Sequence, residues 1–339
     1  MRAHRFLAGA ILSALSATAL AQQPPNTEAA RAQAEMRNRQ NNMPDTQGTG
    51  RFPAMKEAVA SLPDHVVYRP ANLAAMGNTK LALYIYGNGG CSDDGASSRL
   101  HLLEIASHGY LAIAPGRILS GPGITPRPAP PAPPAPPAAP APPGSGAAPP
   151  VPALTARTSY KDLLWAIDGA LAQNANPKSP YHNHIDPNAI AVSGFSCGGV
   201  QALRIGSDPR VKTVVAMNTG LFSEPTPLPE MDVPKSALTA LHTPVFYLLG
   251  GETDIAYPNG TDDVKRISHI PVFYANLLGV GHGGTYWEPH GGKAAAAVVA
   301  WLDWQLRGNQ KAARNFVGKD CALCTDKAWK IEKKKIDSE

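Results

Sequence analysis

The sequence has little of three things: long apolar runs, net charge and cysteine. Its only long apolar run, 6–20, lies at the start of the chain, and because no second one follows, we expect no stable membrane insertion. The formal net charge is only +5, and the lysines at 333–335 have no aromatic or arginine-rich motif beside them, which argues against nucleic-acid binding. Beyond Leu306 there are Cys321 and Cys324 but no further cysteine and no histidine, so a zinc site there would lack half of its ligands. We expect no metal and no other cofactor.

The first 21 residues have the features of a secretory signal peptide. Arg2, His4 and Arg5 precede the apolar run, and Ala19-Leu20-Ala21 supplies the small residues of a cleavage site. The run is short for a helix that spans a bilayer, so a membrane anchor is the less favoured alternative. We therefore expect a secreted or periplasmic protein, a location in which the 4 cysteines can form disulfides.

The rest of the chain divides by composition into a polar segment, one long domain and a tail. Residues 22–50 are polar with a thin apolar face, so we expect weak order there. Residues 51–310 are interpreted as one domain. Within it, residues 122–152 are almost wholly proline, alanine and glycine, which predicts an exposed polyproline-type insertion loop, with a spacer or tether as the favoured role. Residues 311–339 are interpreted as a tail that carries the Cys-x-x-Cys motif.

The order of strand and helix patterns in the domain predicts a parallel sheet. The apolar run 81–86 leads into a glycine-rich turn, a helix pattern around 100–105 and a second apolar run, 110–114. Strand, turn, helix and strand in this order form a βαβ unit, which requires parallel strands. Further strand-like runs lie at 189–192, 211–217, 244–249 and 272–278, and helix patterns at 159–172 and 294–306. The fold class is therefore predicted as α/β, with a mostly parallel central sheet and helices on both faces.

One strand-like run ends in the motif Gly194-Phe195-Ser196-Cys197-Gly198, and a helix pattern follows at 200–204. A G-x-S-x-G motif between a strand and a helix is typical of a nucleophile elbow, a sharp turn that exposes the serine hydroxyl. Its glycines allow the strand and the helix to pack closely around a strained serine. The alternative is an ordinary βα turn, but the flanking strand and helix favour the elbow.

A serine, an aspartate and a histidine each follow a strand-like run: they are Ser196, Asp254 and His282. The carboxyl ends of parallel strands line one crevice, so we expect these side chains to meet there. An imidazole can take the proton of a serine hydroxyl, and a carboxylate can orient the imidazole. The chain order Ser, Asp, His is the order found in α/β-hydrolases. We therefore predict a catalytic triad.

Two neighbouring residues remain as alternatives within this triad. Glu252 lies in the same loop as Asp254 and could supply the carboxylate, while His290 follows His282 by a few positions and could supply the base. Another common location for the acid, the end of the preceding strand, holds Asn218, which argues against an acid at that position.

Two backbone N–H groups are needed to bind an oxyanion. We predict that one belongs to Cys197, which follows the serine, and the other to Gly90 in the turn 88–91, with its neighbours Gly89 and Cys91 as alternatives. Donors that bind one oxygen atom lie close together, so we also predict a disulfide between Cys91 and Cys197, which leaves Cys321 to pair with Cys324. Free buried thiols are the alternative.

Aromatic residues near these loops are candidates for substrate contacts. The candidates are Phe195, Tyr257 and Trp287, and Phe222 and Tyr286 lie in similar positions. Core packing is an equally good explanation for each of them.

Taken together, the motifs at 87–91, 194–199 and 281–283 and the Asp254 loop resemble those of secreted α/β-hydrolases related to dienelactone hydrolases and polyester hydrolases. The resemblance covers about 52–306, apart from the proline-rich insertion. It implies the α/β-hydrolase fold, the triad and hydrolysis of carboxylic esters, and it leaves the substrate open. The His-Gly pair that is usual before the oxyanion residue is replaced here by Asn88-Gly89.

The function predicted from the sequence is therefore that of an exported serine hydrolase that cleaves small or polymeric esters through an acyl-enzyme. An amide, peptide or polyamide hydrolase would use the same triad. A non-catalytic binding protein on this scaffold is less favoured. A thiol-disulfide enzyme built on Cys321 and Cys324 is also less favoured, because that motif lies in a charged tail and not at a helix start after a strand. The oligomeric state stays open.

Overall fold

A computed structural model describes residues 35, 38–125, 155–226 and 228–337 of the chain. The predicted signal peptide and residues 126–152 of the predicted insertion lie outside the described residues, so both stay predictions. Contacts within the chain define one unit at 1–39 and another at 40–339. In the first unit only Glu35, Asn38 and Arg39 are described, and they are helical. The second unit contains the sheet and the candidate site.

A mixed α/β fold is built on one open, nine-stranded sheet with the strand order β1-β2-β4-β3-β5-β6-β7-β8-β9. The strands are β1 Ala54–Ala58, β2 His65–Pro70, β3 Leu81–Gly87, β4 Tyr110–Pro115, β5 Ile185–Phe195, β6 Thr213–Met217, β7 Val245–Leu249, β8 Val272–Leu277 and β9 Trp329–Lys334. The central strands from β4 to β8 are parallel to one another. Strands β1, β2 and β9 pair antiparallel at the two edges. The predicted mostly parallel sheet is confirmed.

Helices cover both faces of the sheet. They are α1 Arg99–Ser107, α2 Tyr160–Ala175, α3 Cys197–Ile205, α4 Tyr257–Arg266, α5 Gly292–Arg307, α6 Gln310–Ala313 and α7 Ala322–Thr325. Helices α2 and α3 pack with one set of strand side chains, such as Leu83 and Ile85. Helices α1 and α5 pack with the alternate set, such as Tyr84 and Tyr86. Because the central strands are covered on both faces, nearly all of their side chains are buried, which explains the continuous apolar runs from which they were predicted.

The chain after residue 310 adds an edge strand to the sheet. Strand β9 pairs antiparallel with β8, with Trp329 opposite Leu277 and Lys334 opposite Val272. The Lys334 ammonium donates to the carbonyl of Ile267 at 2.9 Å. The sheet therefore extends beyond the domain boundary placed at 310 from the sequence. An edge strand is commonly rich in lysine, so its sequence resembles that of a solvated tail.

Residues 40–50 are held against α1 by polar contacts. The buried Arg99 guanidinium donates to Asp45 Oδ1 at 2.8 Å and to the carbonyl of Met43 at 2.6 Å. The backbone N–H of Thr49 donates to Glu104 Oε2 at 2.9 Å. The expectation of weak order for 22–50 came from a thin apolar face, which carries no information about such hydrogen bonds. For most of 22–39, which lies outside the described residues, that expectation stays a prediction.

In the part of the chain that the structure describes, no helix is long and apolar enough to cross a membrane.

Candidate active site

Ser196 occupies the junction between the end of β5 and the start of α3. Its backbone has φ 54° and ψ −121°, a conformation that only glycine adopts without strain. Such strain costs on the order of 1–3 kcal/mol and persists only where the surrounding structure enforces it. The side chain is half-buried, so its hydroxyl remains accessible. This is the backbone arrangement expected of a nucleophile elbow.

Glycines allow the surrounding backbones to approach closely enough to enforce this turn. A Cβ atom added at Gly198 would lie 2.0 Å from the carbonyl carbon of Gly87 at the end of β3. A Cβ atom added at Gly194 would lie 2.2 Å from the carbonyl oxygen of Gly198. Both distances are impossible for a real side chain, so the elbow requires glycine at these positions.

The three side chains predicted as a triad form one chain of hydrogen bonds. His282 Nε2 lies 3.0 Å from Ser196 Oγ, and His282 Nδ1 lies 2.7 Å from Asp254 Oδ1. A carboxylate can only accept, so Nδ1 carries the proton that it donates to Asp254. In the neutral ring, Nε2 is then free to accept the serine proton. The arrangement can transfer a proton from the Ser196 hydroxyl to the imidazole.

Asp254 is buried and fully engaged in hydrogen bonds. Its Oδ1 accepts from the N–H of Ala256 at 2.9 Å as well as from His282, and its Oδ2 accepts from the N–H of Gly250 at 3.0 Å and from Asn218 Nδ2 at 2.7 Å. Burial by itself raises the pKa of this carboxyl, but the hydrogen bonds from His282 and from these other donors together lower it by more, so the pKa lies below its ordinary value. Asp254 is therefore a carboxylate at neutral pH.

Asn218 and Tyr286 extend this hydrogen-bonded chain beyond Asp254, a role that the sequence does not predict for either residue. Asn218 follows β6 with φ 45°, is fully buried and donates from Nδ2 to Asp254 and to the carbonyl of Gly281 at 3.1 Å. The buried Tyr286 hydroxyl donates to Asn218 Oδ1 at 2.5 Å. The one sequence feature that indicates a role for Asn218 in the site is its position at the end of the strand-like run 211–217.

Glu252 and His290, the alternatives within the triad, have other surroundings. Glu252 is exposed, whereas Asp254 in the same loop is buried. His290 Nδ1 lies 3.5 Å from Glu104 Oε2 in a separate cluster beside α1. The geometry therefore joins Asp254 and His282 to the serine and leaves the alternatives elsewhere.

The turn after β3, at 89–91, is linked covalently to the elbow. Cys91 and Cys197 form a disulfide with their Cα atoms 5.3 Å apart, which confirms the predicted pairing. Gly90 has a left-handed conformation with φ 62° and ψ 13°, and open space surrounds the position of a Cβ atom there. The N–H of Cys197 begins α3 and has no acceptor within that helix, at the positive end of the helix dipole. These are the two N–H groups that the sequence analysis proposed for an oxyanion.

Asn88 holds this turn in place. It is fully buried and donates from Nδ2 to the carbonyls of Pro115 at 2.7 Å and Ser92 at 2.9 Å. These bonds connect the turn to the end of the neighbouring strand β4. The amide of Asn88 is therefore a structural anchor for the turn.

One of the three candidate aromatic residues, Phe195, packs against His282, and a second, Trp287, packs against Phe195. The Phe195 ring centre lies 5.1 Å from that of His282 and 6.2 Å from that of Trp287. Trp287 is half-buried, and its indole N–H donates to the carbonyl of Ser97 at 3.1 Å. Tyr257 begins α4 and packs against the core on the opposite face of the sheet. Phe195 and Trp287 are thus the better placed for contact with a substrate.

An open groove of about 500 Å³ lies near the Cys91–Cys197 disulfide. It is lined by residues 155–159, Asp162 and residues 228–230. Ala156 and Leu228 from its walls pack against the two disulfide cysteines. The groove therefore adjoins the elbow, although its lining does not include the serine or histidine.

The Cys-x-x-Cys motif in the C-terminal segment is also oxidised. Cys321 and Cys324 form a disulfide with Cα atoms 4.9 Å apart, as predicted. Across residues 38–125, 155–226 and 228–337, no three histidine, cysteine, aspartate or glutamate side chains are grouped so as to hold a metal ion.

Neither a scan of protein-family models nor a search of curated proteins finds a match to this chain.

Proposed function

We propose that the chain is a serine hydrolase of the α/β-hydrolase fold that cleaves carboxylic ester bonds through an acyl-enzyme. The observation that carries this proposal is the hydrogen-bonded chain from Ser196 Oγ through His282 to Asp254, with distances of 3.0 and 2.7 Å. The strained serine at a strand–helix junction supports it, because strain of this kind concentrates at functional sites.

In the acylation step, Ser196 Oγ attacks the ester carbonyl carbon while His282 Nε2 takes the hydroxyl proton. The carbonyl oxygen becomes an oxyanion, which the N–H groups of Cys197 and Gly90 bind. When the intermediate collapses, the bond between the carbonyl carbon and the alcohol oxygen breaks. The alcohol leaves with the proton from Nε2, and the acyl group stays on the serine.

In the deacylation step, a water molecule attacks the acyl carbon and His282 takes its proton. The serine oxygen then leaves with that proton, and the carboxylic acid is released. Asp254 stays ionised throughout and stabilises the imidazolium that forms in each step. The pKa of Asp254, held below its ordinary value by the hydrogen bonds to it, suits this role.

Aromatic side chains near the histidine orient the bound ester. Phe195 packs next to His282 and Trp287 packs next to Phe195, whereas Tyr257 is a weaker candidate because it packs against the core on the opposite face. The two disulfides are compatible with an exported protein, as the predicted signal peptide requires.

The test is active-site labelling combined with substrate panels. The purified protein is treated with a fluorophosphonate probe, and the labelled residue is identified by mass spectrometry; we expect Ser196. A series of p-nitrophenyl esters with rising acyl length is assayed beside the matching p-nitroanilides, and we expect hydrolysis of the esters.

Ser196→Ala and His282→Ala should each abolish labelling and lower ester turnover by a factor on the order of 10⁴, while His290→Ala serves as the matched control. Labelling of another residue, or full activity in Ser196→Ala, would overturn the proposal. Faster cleavage of the anilides would identify an amide hydrolase with the same triad, and no labelling or turnover at all would identify a binding protein.

A further inference from the structure

We propose that Asn218 and Tyr286 are positioning residues that hold Asp254 and the histidine loop in one fixed arrangement. This inference rests on the proposed function, because it assigns a role in the same reaction. Neither residue touches the reacting atoms. Their effect passes through Asp254 and through the backbone next to His282.

A closed ring of hydrogen bonds joins the acid to the histidine loop. Gly250 N–H donates to Asp254 Oδ2 at 3.0 Å, and Asn218 Nδ2 donates to the same oxygen at 2.7 Å. Asn218 Nδ2 also donates to the carbonyl of Gly281 at 3.1 Å, and the Gly281 N–H donates back to the carbonyl of Gly250 at 3.0 Å. Gly281 immediately precedes the histidine. One amide group therefore ties the acid to the loop that carries the base.

The two loops that this ring joins are packed tightly against each other. A Cβ atom added at Gly250 would lie 1.9 Å from the carbonyl oxygen of Gly281, so the acid loop and the histidine loop are in backbone contact. Asn218 is fully buried, and its own N–H donates to the carbonyl of Leu248 at 2.7 Å. Its left-handed backbone, with φ 45°, turns the chain at the end of β6.

Tyr286 decides which way the amide of Asn218 points. An asparagine amide can place either its oxygen or its nitrogen toward Asp254, and only the nitrogen can donate to a carboxylate. The Tyr286 hydroxyl donates to Asn218 Oδ1 at 2.5 Å, which directs Nδ2 toward Asp254 and Gly281. The Tyr286 ring is itself fixed between Phe195, at 4.7 Å, and His101, at 5.8 Å between ring centres.

The chemical consequence concerns the imidazolium. Asp254 stabilises it only while its Oδ1 faces His282 Nδ1, and Asn218 occupies Oδ2 so that the carboxylate cannot rotate. Without the amide donor, Asp254 loses a hydrogen bond to a charged group, which is worth about 1.5–3 kcal/mol. This bond affects the rate only as far as it stabilises the transition state more than the ground state, so the loss in rate is at most roughly 10- to 100-fold at about 1.4 kcal/mol per factor of ten.

The first test compares Asn218→Ala, Tyr286→Phe and the matched control Tyr86→Phe. Tyr86 is buried in the same aromatic cluster, and its hydroxyl donates to Ser98 Oγ at 3.0 Å. We expect kcat on a small ester to fall roughly 10- to 100-fold in Asn218→Ala and about 2- to 10-fold in Tyr286→Phe, with KM nearly unchanged. Tyr86→Phe should lower the melting temperature as Tyr286→Phe does but keep kcat within about twofold. Equal kcat losses in both tyrosine variants would overturn the inference.

Asn218→Asp keeps the shape of the side chain and removes the amide N–H donor, so it tests the donor alone. The titratable groups around this position are Asp254, His282 and the Tyr286 hydroxyl. The new carboxyl can donate to Asp254 only while protonated, so the activity of the variant should decrease as the pH rises and the pair of carboxyls loses its proton. An unchanged rate at every pH would show that no donor is needed.

A spectroscopic measurement separates the failure of this inference from the failure of the proposed function. The proton on His282 Nδ1, bonded to Asp254 at 2.7 Å, should give a downfield imidazole resonance that His282→Ala removes. We expect that resonance to move or broaden in Asn218→Ala and Tyr286→Phe and to stay in Tyr86→Phe. If the wild type hydrolyses no ester, the proposed function fails and this resonance still tests the positioning. If the resonance is unchanged in Asn218→Ala, the inference fails whatever the activity.

Discussion

The Cα atoms of Cys91 and Cys197 lie 5.3 Å apart, and their disulfide joins the turn after β3 to the first residue of α3. This single bond connects the two backbone segments that carry the proposed oxyanion donors. It closes a segment with a sequence separation of 106, whereas the Cys321–Cys324 bond closes one of 3. The two bonds therefore differ both in the loop that they close and in their distance along the chain from Ser196.

The first prediction compares the two disulfides by replacing each pair with alanine. A chain-entropy estimate gives about 5 kcal/mol of stability for the bond across the long segment and about 2 kcal/mol for the short one. Cys91→Ala/Cys197→Ala should therefore lower the free energy of unfolding more than Cys321→Ala/Cys324→Ala, and only the first variant should lower kcat. Urea unfolding and ester kinetics measure both effects. A kcat unchanged in the first variant would show that the donors stay in place without the bond.

The second prediction concerns the close approach at the elbow. In Gly198→Ala the new methyl would lie 2.0 Å from a backbone carbon of Gly87, which cannot move aside as a side chain can. We expect a loss of about 3 kcal/mol in the free energy of unfolding, together with a loss of labelling by the fluorophosphonate probe. Gly308→Ala is the control, because its methyl meets open space and only the backbone conformation, φ 64°, is strained. Its cost should be about 1 kcal/mol. Equal costs in the two variants would contradict the steric argument.

The part of the site that could be predicted from the sequence is the part encoded locally. The elbow motif, its strand and its helix are contiguous, and Asp254 and His282 each follow a strand whose apolar run is continuous. The contact between Asn218 and Tyr286 joins residues 68 positions apart and depends on how two loops meet. No periodicity or motif encodes such a contact. Strand β9 was missed for a different reason, since an edge strand that carries Lys330, Lys333 and Lys334 looks polar in sequence.

The third prediction concerns stability at acid pH. Burial lowers the pKa of His101 to about 3, and nearby Glu104 offsets only part of that shift. In the unfolded chain the pKa of a histidine is about 6.5, so between about pH 6.5 and pH 3 the unfolded state binds a proton that the folded state does not. Stability contributed by this residue is therefore present above about pH 6.5 and decreases by up to roughly 1.4 kcal/mol per pH unit as the pH falls. Urea unfolding at several pH values measures the slope.

His101→Gln should reduce that slope, because glutamine can still hydrogen-bond to the Tyr84 hydroxyl but does not titrate. His184→Gln, at a partly exposed position, is the control for replacement of a histidine. An equal slope in the wild type and in His101→Gln would show that His101 does not cause the loss of stability.

The fourth prediction concerns the proline-rich segment, most of which lies outside the described residues. Joining Gly123 to Leu154 by a short flexible link should change the melting temperature little, because shortening a loop about fivefold alters the closure free energy by only about 1.4 kcal/mol. On the C-terminal side, the N–H groups of Arg157 and Thr158 donate to the carbonyl of Cys91. These hydrogen bonds hold the chain just after the end of the link at Leu154, so the link does not have to position that segment. A large drop in melting temperature would show that the segment packs against the domain. A loss of activity on polymeric esters alone would support a tethering role.

The last prediction tests the aromatic side chains near the histidine. The Phe195 ring centre lies 5.1 Å from that of His282 and 6.2 Å from that of Trp287, so we expect Trp287 to contact the acyl group and not the reacting atoms. In Trp287→Ala we expect KM to rise about 10-fold for a benzoyl ester and much less for an acetyl ester, with kcat changed little, because an aromatic contact is worth about 0.5–1.5 kcal/mol beyond the area that it buries. Trp165→Ala, which removes a tryptophan that is 63% exposed on α2, is the matched control and should change neither constant. Equal rises in KM for the two esters would show that Trp287 acts on the fold of the loop and not on the substrate.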